Sequence, residues 1–239
     1  MKAVAAVLTA AVLLLAGCTK AAEPPKPAVS SAPADNGIAA LSAEEILARA
    51  KQALADAKSY HMAGTIVMDD EPMKVDFKIS GDDVLGSMTV AGGRIEMLAV
   101  GGQKYLRADE SLLAMVVGES ATAKLGAKVL ASKWLKPAPG DKSATAMFEG
   151  LAGGGILSPS GKLTKGKTTI SNGRPVIELI ESESDGALYI ATTGQPLPLK
   201  MGGKGIDTVL FTEFGAAFPE IVAPAAGEIV ELPAKGTKA

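Results

Sequence analysis

The stretch Met73-Lys74-Val75-Asp76-Phe77-Lys78-Ile79-Ser80 alternates apolar and polar residues without a break. Successive side chains of a β-strand point to opposite faces. Met73, Val75, Phe77 and Ile79 therefore share one face, and Lys74, Asp76, Lys78 and Ser80 share the other. A strand of this kind belongs to a sheet covered on one side and wetted on the other, the habit of antiparallel sheets. Similar short runs flank it, over residues 60–68, 84–90, 94–100 and 103–108. Gly81-Asp82-Asp83, Gly92-Gly93 and Gly101-Gly102 separate them. Parallel neighbours would need long crossovers, so these five runs predict an antiparallel meander.

Before the meander the period is helical. Ser42 and Glu45 have capping-box spacing, and Leu41 and Ile46 stand where a hydrophobic staple would pack. Ile46, Leu47, Ala50, Ala53, Leu54 and Ala57 then recur on one face, which predicts a helix to about Ser59. After the meander, residues 109–157 break the rhythm. Leu112, Leu113, Val116 and Val117 suggest a helical turn or two, as do residues 124–131. Trp134 falls in a short strand, and residues 144–151 form a short helix before Gly153-Gly154-Gly155. Strands resume at 162–170 and 174–182, joined by the hairpin signal Asn172-Gly173. Further strands fit 186–191, 197–201 and 206–214. About eleven strands with helices at the start and middle predict an α+β domain whose helices pack on one sheet face.

The chain opens differently. Residues 3–17 are apolar or small, with Lys2 the one charge before them. A helix of that length rises ~22 Å, short of the ~30 Å hydrocarbon core, as a secretory signal does. Leu15-Ala16-Gly17-Cys18 follows and contains the chain's one cysteine. It resembles the lipobox of bacterial lipoproteins, which implies that the Cys18 sulfur receives a diacylglyceryl group and that residues 1–17 are removed. Two acyl chains hold a protein stably at a bilayer, whereas one does not. Residues 19–40, with Pro24, Pro25, Pro27 and Pro33 among Ala and Ser, read as a tether. The expected organisation is thus a signal peptide over 1–17, a lipidated Cys18 and tether over 18–40, a folded domain over 41–232 and a tail over 233–239. The protein would be exported and anchored to the outer face of the cell membrane.

Composition narrows the function. The chain carries 24 Lys and Arg against 26 Asp and Glu, and the signal removes only Lys2 from that balance. Without a basic excess or a Lys/Arg block, neither nucleic acid nor electrostatic docking on anionic lipid is expected. One cysteine gives no disulfide framework. Aromatic residues are 4% of the chain, so the core must be aliphatic and rich in methionine.

Candidates for chemistry are few. Gly161-Lys162-Leu163-Thr164-Lys165-Gly166-Lys167-Thr168 matches the phosphate-loop letters GxxxxGK[ST]. That chemistry needs a helix leaving the loop, whereas Thr168-Thr169-Ile170-Ser171 reads as a strand, so no nucleotide is expected. His61, the one histidine, sits at a strand start without a GxSxG elbow, and water or backbone would satisfy it. The acidic runs Asp69-Asp70-Glu71, Asp82-Asp83 and Glu181–Asp185 lie at turns without EF-hand spacing, and zinc lacks its Cys and His ligands. No catalytic residue, metal or cofactor is expected.

Over most of residues 41–232 the chain resembles the LppX/LprG-type lipoproteins of actinobacteria. The resemblance rests on the lipobox, tether, opening helix, meander and helical insertion. It is strongest in Ala187-Leu188-Tyr189-Ile190, Thr193-Gly194-Gln195-Pro196-Leu197-Pro198-Leu199, Phe211-Thr212-Glu213-Phe214-Gly215 and Ile221-Val222-Ala223-Pro224. It implies a fold like that of LolA and LolB, an antiparallel half-barrel wrapped over helices with an apolar cavity between them. It also implies binding, and transfer, of acylated lipid or glycolipid. The walls would come from Ile46, Leu54, Met73, Val75, Phe77, Ile79, Ile95, Met97, Leu113, Val116, Leu188 and Ile190, with residues 109–157 as a lid. The same residues read alone also suit a dry core against the opening helix. In that case the chain would be an envelope sensor or interaction module with a protein partner left open.

Overall fold

The computed structural model describes residues 34–233 apart from 69–70, 91, 118–119, 150, 152–154, 160, 184–185 and 204–205. The signal-like segment, Cys18, most of the tether and residues 234–239 lie outside the described residues, and so do Asp69, Asp70, Ser184 and Asp185. Helix α1 (Ala43–Ala57) starts as its spacing requires. Ser42 Oγ accepts from Glu45 N, and Glu45 Oε2 accepts from Ser42 N, which gives partners to backbone N–H groups that a helix start leaves bare. Its buried face is Ala43, Ile46, Ala50, Ala53 and Leu54.

The meander follows as β1 (Ser59–Met68), β2 (Glu71–Ser80), β3 (Asp83–Val90), β4 (Gly93–Val100) and β5 (Gln103–Ala108). Then come α2 (Glu110–Val117), α3 (Ala121–Ala131), β6 (Trp134–Lys136) and α4 (Lys142–Glu149). The second set of strands is β7 (Leu163–Ser171), β8 (Arg174–Glu181), β9 (Gly186–Ala191), β10 (Pro198–Gly203) and β11 (Ile206–Thr212). A three-residue β12 (Ile229–Glu231) ends the series. All twelve form one sheet in the order β12-β6-β5-β4-β3-β2-β1-β11-β10-β9-β8-β7. Neighbours are antiparallel except β12, which runs parallel to β6. The fold is an α+β half-barrel: the sheet stays open, with β12 and β7 at its edges, and α1 and α4 lie on its inner face. The twelfth strand exceeds the expected eleven because three residues are too few to show alternation.

Register explains the faces. Phe77 stands opposite Met62 on β1 and opposite Gly86 on β3. A Cβ on Gly86 would lie 2.2 Å from Phe77 Cδ1 and 2.3 Å from Asp76 O, so only glycine admits the ring at that crossing. Phe77, Met97, Ile79 and Val84 are fully or nearly fully buried, with Leu54 of α1 and Phe148 of α4 packed over the same cluster. On the outer face Leu98, Tyr105 and Trp134 form a smaller cluster, covered by Ile221 and Ile229 of the C-terminal segment.

Two expectations change. Residues 35–40 belong to the folded unit rather than to the tether. Asp35 bridges Thr193, Asn36 Nδ2 donates to Ala191 O and Gly194 O at 3.0 Å each, and Ile38 is buried under α1. Composition hid this because the docking uses one side chain and one strand bridge rather than a periodic pattern. The insertion at 109–157 is also not a single lid. α2 and α3 pack against each other and beside β4–β6, with Leu112 of α2 over Gly93 of β4, while α4 and the turn at Gly155–Leu157 add Phe148 and Leu157 to the inner cluster.

Candidate functional site

Between α1, residues 156–159 and the adjoining ends of β7–β10, the inner face leaves a cavity of about 210 Å³ open to solvent. Leu47, Ile156, Leu157, Leu163, Leu179, Leu188 and Met201 line it, with Ser158 and Glu181 the polar members. Glu181 Oε1 accepts from Gly161 N at 2.7 Å, which holds this carboxylate at the wall. Beside it lies a smaller inner void of about 70 Å³ whose walls are wholly apolar. Ile156 and Met201 line both, so these two side chains stand between them. Four methionines, Met62, Met73, Met88 and Met201, wall the inner void. Unbranched thioethers repack at small cost, which suits a space that changes shape.

A third hollow, a groove of about 470 Å³, opens at the opposite end of the strands, over Leu54, Tyr60 and Ile79, with Lys51 and Lys58 at its rim. Tyr60 separates it from the inner void. The ring is buried, and the hydroxyl donates to Leu151 O at 3.5 Å. Burial pushes the Tyr60 hydroxyl up to about 12, so it stays a neutral donor at every physiological pH.

The structure brings some of the expected residues together and scatters others. Met73, Val75 and Phe77 line the inner void, and Leu188 lines the open cavity. Leu54 and Ile79 floor the groove. Ile95 and Met97 pack in the main cluster beside the void. Ile46 and Ile190 do not reach a cavity: they close a second cluster with Ile38, Ile177 and Leu179 under the first half of α1. Strand register sets this division, since Ile190 stands at the end of β9 away from the mouth while Leu188 stands two residues nearer it. Leu113 is buried under α2 but lies outside the linings of all three hollows, and the side chain of Val116 is outside the described residues. Sequence reading missed Leu47, Ile156, Leu179 and Met201 as wall residues. Leu47 was legible on the α1 face. Ile156 follows a glycine run with no period, so its position depends on tertiary contacts alone.

The remaining motifs settle differently. The His61 ring lies between two carboxylates. Its Nε2 lies 3.0 Å from Asp76 Oδ1 and its Nδ1 3.3 Å from Glu213 Oε2, because all three side chains share the outer face of β1, β2 and the end of β11. Among the described residues neither ring nitrogen meets a hydroxyl. Beside it, Lys78 pairs with Glu220 and lies over the Phe218 ring. That pairing holds the Lys78 ammonium above its ordinary value and the Glu220 carboxyl below its own. The phosphate-loop letters fall on β7, which runs into the Asn172-Gly173 turn and back along β8, so no helix N-terminus faces that loop. Asp83 Oδ1 accepts from Gly101 N at 3.0 Å, a turn contact. Among the described residues no three acidic, His or Cys side chains are placed to hold a metal ion.

No protein-family model and no curated protein matches the chain. Among solved structures it is similar to LprF from Mycobacterium bovis, at 12% identity and a TM-score of 0.44, over 77% of this chain and 97% of that one. It is also similar to a DUF1329 family protein from Desulfovibrio piger, at 9% identity and a TM-score of 0.27, over 75% and 95% of the two chains. A third match is PNGF-II, at 11% identity and a TM-score of 0.25, over 74% of this chain and 31% of that one.

Proposed function

We propose that this chain is an exported, membrane-anchored lipoprotein that binds acylated lipid or glycolipid in the space between its sheet and helices, without covalent catalysis. The observation that carries this reading is the open apolar cavity of about 210 Å³ with the wholly apolar void beside it. An apolar cavity of ~150 Å³ holds a benzene-sized guest, and drug-sized ligands use ~300–1,000 Å³. The present space therefore suits one acyl segment, with room for more when Ile156 and Met201 turn aside. Burial at ~25 cal/mol per Å² of apolar surface would drive the affinity. A polar head group would stay at the mouth beside Ser158 and Glu181. The lipobox at Cys18 and the sequence resemblance to LppX/LprG-type lipoproteins support the same reading, including anchoring through Cys18 and transfer of the bound lipid.

The alternative, a sensor or interaction module, needs a solid interior, and the two adjoining hollows on the inner face count against it. Native mass spectrometry of the chain purified from a lipid-containing host tests the proposal. A bound lipid is expected, and Leu188→Trp or Met201→Trp, which fill the cavity, should lose it while folding normally. A chain that carries no lipid, or whose lipid survives both substitutions, would refute the cavity as its site.

A further inference from the structure

Helix α3 has two apolar faces where a surface helix needs one. Ala127 is fully buried toward the domain. On the opposite side Leu125 and Val129, one turn apart, are 68% and 64% exposed, and Met115 on the neighbouring α2 is 60% exposed. Lys124 and Lys128 flank the stripe, also exposed and one turn apart, and α3 contains no acidic residue. Isolated exposed apolar side chains are ordinary, but a helical stripe bordered by lysines on an otherwise acidic chain is not.

We propose that the outer face of α3, with Met115 of α2, docks into the headgroup–acyl boundary of an anionic lipid bilayer. Leu125 and Val129 would enter the boundary while Lys124 and Lys128 meet the lipid phosphates, the arrangement of interfacial helices. Whole-chain charge argues against electrostatic docking, but the contact is local, and each lysine near an anionic surface adds about 1 kcal/mol to the insertion of the apolar side chains. The site also stands where a lipid-binding protein would need it. α2 leaves β5 at the end of the sheet where β4 begins, and strand alternation places that end with the starts of β7 and β9, which border the open cavity. The chain before Ala34 has the reach. From Cys18 it can extend ~50 Å at ~3.1 Å per residue, against ~33 Å for the ten-residue β1. A lipidated Cys18 therefore does not prevent the cavity end from facing the membrane. The proposal rests on the lipid-binding reading for its purpose alone; the contact is measured separately from any bound lipid.

The test uses the full chain in a Cys18→Ser background, labelled with bimane at Leu125→Cys or, as control, at Ile170→Cys, an equally exposed position on β7. Both are mixed with phosphatidylglycerol–phosphatidylcholine vesicles carrying acyl-chain nitroxides. Quenching is expected at position 125 and not at 170. Lys124→Glu with Lys128→Glu should weaken the partition that this quenching reports by about tenfold or more at low salt. Equal quenching at both positions, or none at either, overturns the proposal. So does cross-linking of position 125 to a second copy without quenching, which would make the face a protein interface. Co-purifying lipid is unaffected by any of these results, so failure here and failure of the cavity reading are distinguishable.

Discussion

Replacing Phe77 by Ala should separate a cavity built for change from a core built to stay closed. The ring is 0% exposed, faces Gly86 across β3 and forms part of the wall of the 70 Å³ void. Phe→Ala in a rigid core costs about 3–5 kcal/mol, made up of lost transfer energy and ~24 cal/mol for each Å³ of cavity left behind. By the same coefficient the existing void already corresponds to ~1.7 kcal/mol. The four methionines around it can move into the new space, so the cost should fall near 3 kcal/mol. That is a large share of the ~5–15 kcal/mol typical of a domain, yet compatible with folding. Ile46→Ala is the matched control. It is equally buried but lines none of the hollows, packing against Ile177 and against Leu179 behind the wall of the open cavity, and should cost about as much. Urea denaturation monitored through Trp134 gives both values, and an unchanged m-value checks that the transition remains two-state. Repeating it with a long-chain fatty acid distinguishes them. A ligand at ~100 times its Kd stabilises by ~2.7 kcal/mol, and the enlarged void should raise that gain for Phe77→Ala only. A cost below about 1 kcal/mol for Phe77→Ala, or equal rescue of the two variants, would refute the described packing.

Gly86→Ala should destabilise by several kcal/mol, more than a typical surface change, because two of the three close approaches to the added methyl are backbone atoms of β2; thermal unfolding reads this, and a neutral result would mean that β2 and β3 pair in another register. Tyr60 predicts a pH dependence. Its folded value is pushed up to about 12 from an ordinary 10, so the unfolded chain loses the proton first. Stability is then fully present below pH 10 and falls by about 2–3 kcal/mol as pH rises through 12. In Tyr60→Phe that decline should vanish from the denaturation midpoint measured against pH. Asn36→Ala removes three hydrogen bonds, two to carbonyls near the β9–β10 turn and one from Ile38 N, at a cost of about 1–3 kcal/mol. Limited proteolysis should then cut within residues 35–41, which the parent protects.

The alternation at 73–80, the glycine turns, the capping box at Ser42 and Glu45 and the Asn172-Gly173 hairpin each act within a few residues, so they were legible in the chain and produced the α+β antiparallel plan. The same locality made Met73, Val75, Phe77 and Leu188 recognisable as inward-facing. Other features depend on partners far away in sequence. Ile46 and Ile190 share the apolar character of Leu188 yet sit behind the cavity wall, because register and the path of α1 decide which apolar side chains meet each other and which face a gap. Ile156 reaches the cavity from a segment without a period, Asn36 ties residues 35–40 to a turn more than 150 residues away, and His61 finds two carboxylates from different strands. Short-range patterning determines which elements form and which face of each is apolar; where those faces leave space is fixed only when helices and strands distant in the chain come to share a volume.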